Sequence, residues 1–333
     1  MSELVKHTAV TDLLAGVAVI RQHGSLPSAV ADVTADSRKV VTGGAFVAVA
    51  GTQTDGHKFI EKAIAQGAKL VVHQRECKNY SKGVAYLQVE DSAVALGVMV
   101  GNLYGNPSKQ LKLVGVTGTN GKTSVATFLY HLVEQMGEKA GLISTVENRI
   151  HSEVEATAFT TPAPHELHEL LARMVAVGCR YAFMEVSSHA LVQHRVAGIL
   201  FSGGIFTNLT RDHLDYHGTL QAYRDAKKMF FDALPPTSFA LSNLDDPNGM
   251  FMLQNCKAHK EYYSLTNLAY VKCDLLSQEL EGMHLRINGA DLYLPLLGRF
   301  NAYNISAVYG AACLLGFEPT EVLRVLTLLR PVR

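Results

Sequence analysis

The chain has 333 residues, 48% of them hydrophobic, and its 30 lysines and arginines are balanced by 30 aspartates and glutamates. That length predicts two domains rather than one core, and the absence of net charge or a Lys/Arg-rich run gives a nucleic-acid partner no electrostatic footprint. The five cysteines are scattered, odd in number and free of C-x-x-C spacing, which excludes a disulfide framework and a structural zinc site and fits a reducing, cytoplasmic setting. The opening MSELVKHTAVTDLLAGVAVI is broken by Thr11 and Asp12 and lacks the apolar core of a signal peptide. No later stretch approaches the roughly 18 apolar residues that membrane insertion needs. Nothing in the composition points to a protein partner.

In chain order, residues 1–108 alternate short β-like runs (GGAFVAVAG, AKLVVHQ, VAYLQVE) with helical patterns (HKFIEKAIAQG, SAVALGVMVGNLYG) and end in the breaker GNPSKQ, the expected domain boundary. From 109 to 333 the pattern predicts strand LKLVGVTG, helix 122–137, strand KAGLIST, helix 164–178, strands RYAFMEVS and LFSGGIFTN, helix 219–234 and strand SFALSNL. Such alternation predicts an α/β domain with a mostly parallel sheet covered by helices on both faces. Near 275–297 the period changes to two, a small antiparallel element with Asn288-Gly289 as its hairpin turn. Helices at about 301–315 and 319–329 follow.

The stretch GVTGTNGKTS, residues 115–124, stands between an apolar strand and an amphipathic helix, the setting in which a glycine-rich loop holds phosphate. Val116 stands where the ordinary P-loop has its first glycine; here Gly118 and Gly121 let the backbone approach, and the N–H groups of 118–123 can converge on oxygens. Lys122 adds positive charge, and the Thr123 hydroxyl can ligate Mg²⁺. An ordinary glycine turn capping a helix is the alternative. A cation beside Thr123 calls for an acid at a neighbouring strand end, and Glu185 in RYAFMEVSSH follows an apolar run. Arg211, Asp212, His213, Asp215 and His217 crowd the exit of the next strand, where an open parallel sheet keeps its ligand crevice.

In TLQAYRDAKKMFFDAL, at 100° per residue, Lys227 falls about 340° from Leu220, inside the apolar arc set by Leu220, Tyr223, Phe230, Phe231 and Leu234. Either Lys227 snorkels out, or it reaches a polar cavity where burial lowers its pKa and leaves a neutral amine open to carbamylation.

Taken together, TGTNGKTS, FTTP, MEVSSHALVQHRV and FTNLTRDHLDYHGTLQAYRDAKK resemble the Mur ligase family of peptidoglycan synthesis, especially members that add the third residue to UDP-N-acetylmuramoyl-L-alanyl-D-glutamate. DSRKV, VAGTQTDGHKFIEKAIAQGA and GRFNAYNISAV extend the resemblance over nearly the whole chain. The resemblance implies an ATP-dependent acid–amino-acid ligase of cell-wall synthesis, with an N-terminal UDP-substrate domain, a central ATP domain and a C-terminal amino-acid domain expected beyond residue 333. On that expectation the chain alone binds its nucleotides weakly and does not complete amide synthesis. ATP and Mg²⁺ are the implied cofactors, and UDP-MurNAc-L-Ala-D-Glu and diaminopimelate or lysine the implied substrates.

By the same resemblance Gly118, Thr119, Asn120, Gly121, Lys122, Thr123 and Ser124 bind the ATP phosphates, and Asn301 and Asn304 border the nucleotide. Thr123, Glu185, His213 and a carbamylated Lys227 hold metal, with Lys122, Lys227 and His213 the catalytic set. Thr160, Thr161, Ser187, Gln193 and Arg195 meet the muramoyl dipeptide, while Ser37, Thr52, Gln53 and Thr54 meet the uridine diphosphate. Phe159 stands where the family commonly has asparagine. Rival readings share the loop: a GTPase switch, which needs an N-K-x-D segment absent here; a small-molecule kinase, which needs no N-terminal domain; and, among near relatives, Mur ligases that act at other steps and folylpolyglutamate synthetase, which the EVSSHALVQHR and DHLDYHG stretches disfavour.

Overall fold

A computed structural model describes residues 8–51, 54–77 and 79–331. The described residues fold as two compact units, the first made of those up to 107 with 162–172 and 193–199, the second of 108–161 with 173–192 and 200–331.

In the first unit a five-stranded sheet runs in the order Val19–His23, Ala85–Val89, Leu70–His73, Ala45–Ala48, Val33–Thr34, counted among the described residues. The exposed edge strand Val19–His23 is antiparallel and the others parallel. The inner strands Ala45–Ala48 and Leu70–His73 are buried along their whole length because both faces are covered, and all but His73 of their residues are apolar. On one face Ala95, Met99 and Val100 of helix Ser92–Leu103 pack against Val47, Leu70 and Val72. Asp91 caps that helix, accepting from the N–H groups of Ala93 and Val94 at 2.8 and 3.0 Å. On the other face Ala63 joins Phe46 and Ala48.

The second unit holds an eleven-stranded sheet among the described residues. Its order is Glu153–Ala156, Glu147–Ile150, Ala140–Ile143, Tyr181–Glu185, Lys112–Thr117, Gly203–Phe206, Phe239–Asn243, His259–Ser264, Val271–Glu279, Gly282–Ile287, Ala290–Leu294. The run from Ala140–Ile143 to Val271–Glu279 is parallel, and antiparallel strands finish it at both ends. Asn288 and Gly289 both take positive φ, 48° and 90°, in the two-residue hairpin loop expected from the sequence. Helices Lys122–Gln135 and Arg299–Leu314 bury Val125, Phe128, Leu132, Ile305 and Val308 against Val114, Val116 and Leu241.

Helix Leu220–Asp232 sits unusually close to the sheet. A Cβ on Gly115 would lie 2.6 Å from the Phe230 ring and one on Gly204 2.8 Å from it, so these two strand glycines make the space that Phe230 fills. The helix departs from the sequence reading at one end: Leu220, expected in the apolar arc, is 40% exposed. Tyr223, Lys227, Phe230 and Phe231 are buried, and the buried arc is therefore centred further round the helix.

The first unit also buries an imidazole. His168 is 0% exposed beside Gly101, whose hypothetical Cβ would come within 3.0 Å of the ring, and neither ring nitrogen makes a well-formed hydrogen bond among the described residues. Burial pushes its pKa down to about 4, opposed in part by the nearby Gly97 backbone. Because the folded value lies below the ordinary histidine value near 6.5, the unfolded chain takes up more protons between those pH values, and stability is lost as pH falls through that window. The full effect is on the order of 3 kcal/mol. Urea unfolding monitored in the N-terminal unit should show a steeper loss between pH 7 and pH 4.5 for the natural chain than for His168→Leu; equal slopes would contradict the assignment.

Candidate active site

Strand Lys112–Thr117 has Tyr181–Glu185 on one side and Gly203–Phe206 on the other. The chain leaves it first towards one edge of the sheet and later returns to fill the other side, so its carboxyl end opens at a switch in strand order, where such sheets bind ligands. Residues 118–121 form the turn there. Gly118 has φ 149°, and a Cβ on it would lie 1.9 Å from Thr207 Oγ1; Gly121 is left-handed at φ 87° and caps helix Lys122–Gln135. Only glycine meets both demands, a positive φ and no room for a side chain.

The turn is held from the next strand. Thr207 Oγ1 donates to the Asn120 carbonyl at 2.6 Å, Asn208 Oδ1 accepts from Asn120 N–H at 3.0 Å, and the Asn208 carbonyl accepts from Thr119 N–H at 2.8 Å. Thr119 Oγ1 lies 3.2 Å from the Tyr223 hydroxyl. Thr207 and Asn208 are absent from the candidates that the sequence supplies. The strand-exit rule that marks 211–217 reaches them only when it is applied from the last apolar residue, Phe206.

Lys122 donates to the carbonyls of Gly118 and Thr119 at 3.1 and 2.9 Å. Burial lowers its pKa, with Glu185 and Asp212 opposing. The Gly118 carbonyl also accepts from Lys227 Nζ at 2.7 Å, and Lys227 is 1% exposed, its amine 4.5 Å from the centre of the Tyr223 ring. Snorkelling is therefore overturned: the side chain turns inward to the loop. Burial, then the neighbouring Lys122 charge, push its pKa down to about 6 against the pull of Asp212.

Thr123 and Glu185 come together. The Thr123 hydroxyl donates to Glu185 Oε1 at 2.9 Å, and Thr145 N–H donates to the same oxygen at 2.7 Å, so a carboxylate only 1% exposed is held at the loop through one of its oxygens. His213 makes its contacts elsewhere. It is left-handed at φ 51°, its ring packs edge-on to His189 at 4.9 Å and to Tyr223 at 5.9 Å, and its Nε2 lies 3.5 Å from Asp212 Oδ2. Among the described residues no three His, Cys, Asp or Glu side chains converge as a ready-made metal cage. A hydroxyl beside a buried carboxylate still suits Mg²⁺, which retains waters and takes its remaining oxygens from substrate phosphates.

Beyond the strand end, Thr161 Oγ1 donates to the Glu185 carbonyl at 2.8 Å and accepts from Ser187 N–H at 3.1 Å, and Thr160 Oγ1 accepts from Thr145 Oγ1 at 3.1 Å. These three candidates thus adjoin Glu185. Gln193 and Arg195 belong to the first unit, where Gln193 Oε1 accepts from Arg195 at 2.9 and 2.7 Å. Also there, Ser37 is buried in a turn closed by Arg38 on Asp36, whose carboxyl that contact lowers to about 2, and Thr54 is exposed. Thr52 and Gln53 lie outside the described residues.

A cavity of ≈ 510 Å³ adjoins the loop at Asn120 and Gly121, with Asn208, Asp245, Phe300, Tyr303 and Asn304 in its wall. Asn304 Oδ1 sits against Gly121, 2.6 Å from where a Cβ would be, and Asn304 Nδ2 donates to Asn301 Oδ1 at 3.2 Å. Ser124 lies in the first turn of the helix after the loop.

Residues 116–312 match the Mur ligase middle domain and residues 29–104 the Mur ligase family catalytic domain. The chain belongs to the Mur ligase family. It is 54% identical over 304 residues to the UDP-N-acetylmuramoyl-L-alanyl-D-glutamate--2,6-diaminopimelate ligase of Parabacteroides distasonis, covering 91% of this chain and 62% of that protein. The ligase of the same name from Phocaeicola vulgatus is 51% identical over 320 residues, covering 96% and 66%. The chain thus spans a little under two thirds of the length of these Mur ligases. A solved structure of a ligase of that name superposes with a TM-score of 0.80 at 28% identity, over 93% of this chain and 66% of that one. MurF ligase from Thermotoga maritima, solved in complex with ADP, shares the fold at a TM-score of 0.57 and 18% identity, over 90% and 66%.

The lysine pair gives a direct test. In a chain labelled with ¹³C at lysine Cε, one resonance should titrate near pH 6 and vanish in Lys227→Arg. Lys122→Met, which removes the adjacent ammonium, should move that midpoint upward; a wild-type midpoint near the ordinary value of about 10.4 would refute the buried-amine reading.

Proposed function

We propose that these residues form the nucleotide-binding and UDP-substrate-binding part of an ATP-dependent amide ligase that joins 2,6-diaminopimelate to UDP-MurNAc-L-Ala-D-Glu through an acyl phosphate. The observation that carries the reading is the Thr123–Glu185 pair at 2.9 Å beside a phosphate loop with a buried lysine beneath it. The names of the relatives at 51–54% identity support the substrate and favour diaminopimelate over lysine.

In the proposed reaction a carboxylate oxygen of the D-glutamyl residue attacks the γ-phosphorus of ATP, the bond to the β-phosphate oxygen breaks, and ADP leaves. The amine of the incoming amino acid then attacks the acyl phosphate carbon, phosphate departs with the bonding pair, and the nitrogen loses a proton. The first step brings two anions together, so the groups that matter are cations and N–H donors fixed before substrate arrives. The loop N–H groups that Asn208 does not engage, those from Gly121 into the first turn of the helix, and Lys122 serve the phosphates in this proposal, Lys122 exchanging its bonds to the Gly118 and Thr119 carbonyls for phosphate oxygens. Asn301 and Asn304 border the nucleoside. In the second unit Thr160, Thr161 and Ser187 serve the muramoyl dipeptide; in the first, Gln193 and Arg195 are proposed for the same ligand and Ser37 with residues 52–54 for the uridine diphosphate.

Thr123 and Glu185 would hold Mg²⁺, which when bound offsets charge on the transferring phosphoryl group. Lys227, buried and close to neutral at physiological pH, meets the requirement for carbamylation, and as a carbamate it would serve with His213 as a second acidic and imidazole ligand set.

Two measurements test the proposal. Calorimetric titration should detect Mg-ATP binding by the chain, with the dissociation constant raised at least about tenfold in Lys122→Ala, the loss expected of a charge-assisted contact; unchanged affinity would remove Lys122 from the site. With ¹³C-bicarbonate at pH 8, a carbamate carbon resonance should appear and be absent from Lys227→Met, and a chain without that resonance would leave Lys227 unmodified.

A further inference from the structure

The wall of the cavity beside the phosphate loop contains a carboxylate tied to an unusual number of donors. Asp245 lies two residues past strand Phe239–Asn243, and six hydrogen bonds reach it. Its Oδ1 accepts from Ser264 Oγ at 2.5 Å, Thr266 Oγ1 at 2.6 Å and Asn267 Nδ2 at 2.9 Å. Its Oδ2 accepts from Leu265 N–H at 2.7 Å, Thr266 N–H at 3.2 Å and the Tyr303 hydroxyl at 3.0 Å. All six donors are neutral. Burial works against the charge, and the bonds from Ser264, Thr266, Leu265 and Asn267 outweigh it and hold the carboxyl well below the usual range. It is therefore a permanent anion at any physiological pH, and each bond to it is charge-assisted.

Five of the bonds shape residues 264–267, the exit of strand His259–Ser264. The sixth crosses the cavity to helix Arg299–Leu314, where Tyr303 stands between Asn301 and Asn304. That first turn is fixed at its other end by Asn301 Nδ2 donating to the Leu297 carbonyl at 2.8 Å.

We propose that Asp245 is a positioning residue for the nucleoside end of the ligand: through the Tyr303 hydroxyl it fixes the first turns of helix Arg299–Leu314 across the cavity and so sets the direction in which Asn301 and Asn304 face the bound nucleoside. The inference rests on the nucleotide-binding reading above. It predicts a division of labour, because the phosphate turn is held separately by Thr207 and Asn208. Loss of the Asp245–Tyr303 bond should weaken binding of a nucleotide and spare binding of bare polyphosphate.

The test is calorimetric titration of the chain with Mg-ATP and with inorganic tripolyphosphate, for wild type, Tyr303→Phe, Asp245→Asn and the double variant. Tyr303→Phe removes one hydroxyl and leaves the 264–267 bonds in place. It should weaken ATP about tenfold, the effect of one charge-assisted bond, and change tripolyphosphate affinity less than about twofold. Asp245→Asn, which removes the charge behind the bond, should weaken ATP at least as much, and adding Tyr303→Phe to it should cost less than Tyr303→Phe costs in the natural chain, since the pair interaction is by then largely lost. Equal weakening of both ligands by Tyr303→Phe would mean general loosening of the unit and would overturn the proposal, as would unchanged ATP affinity or full additivity of the two substitutions. Wild type that binds tripolyphosphate but not ATP would instead sink the nucleotide reading, and this inference with it.

Discussion

The site depends on one peptide carbonyl. Gly118 O accepts from both Lys122 and Lys227, and it can do so because Gly118 occupies a backbone conformation closed to other residues while Thr207 fills the place of its missing side chain. Two amines on one acceptor cannot both keep full charge in a water-poor setting without cost, and the more deeply buried Lys227 is the one driven towards neutrality. Burial first, and the neighbouring Lys122 charge second, thus separate the two lysines: Lys227 is driven towards the neutral amine, while in the proposed reaction Lys122 is the cation that meets phosphate. The close approach of helix Leu220–Asp232, made possible by Phe230 resting on Gly115 and Gly204, sets this division, since a helix standing further out would let Lys227 reach water.

Backbone polar groups tie the turn to the neighbouring strand. Its N–H groups at Thr119 and Asn120 are engaged by Asn208, and the Asn120 carbonyl by Thr207, so the loop borrows rigidity from the neighbouring strand. Rigidity of this kind lowers the reorganisation needed when charge develops on a phosphoryl group. The Thr123–Glu185 bond keeps a hydroxyl in the first turn of helix Lys122–Gln135 beside a carboxylate at the end of strand Tyr181–Glu185.

Much of this is legible in the residues alone. The strand–glycine–helix context identifies the turn, and the angular position of Lys227 identifies an amine on an apolar face, because both signals are local and periodic. The order of strands, and hence which strand exits meet, is not local. Thr207, Asn208 and Asp245 follow ordinary apolar strands, and only the sheet order shows that the first two touch the loop and the third faces a helical residue 58 positions on. Leu220 misleads because a helical wheel takes every apolar residue as part of the buried face, whereas the face this helix buries is the one carrying Tyr223, Lys227, Phe230 and Phe231 and leaves Leu220 at its exposed margin. The strands Glu147–Ile150 and Glu153–Ala156 are hidden in the sequence for a related reason: ENRI and EVEA carry charges where an interior strand would be apolar. His168 reads as a polar interruption in an amphipathic helix, and the small residue that admits it, Gly101, lies far away in sequence.

Those same charges have a bearing on how the protein behaves in a crowded solution. A long parallel sheet would end in rows of unpaired amides, a template on which another chain could add. Here the margins are hairpins whose last strands carry Glu153 and Glu155 at one end and Asp291 at the other, with Arg173 and Arg286 drawn onto them. An incoming strand would have to strip water from these ionic groups, so the margins discourage fibril-like growth.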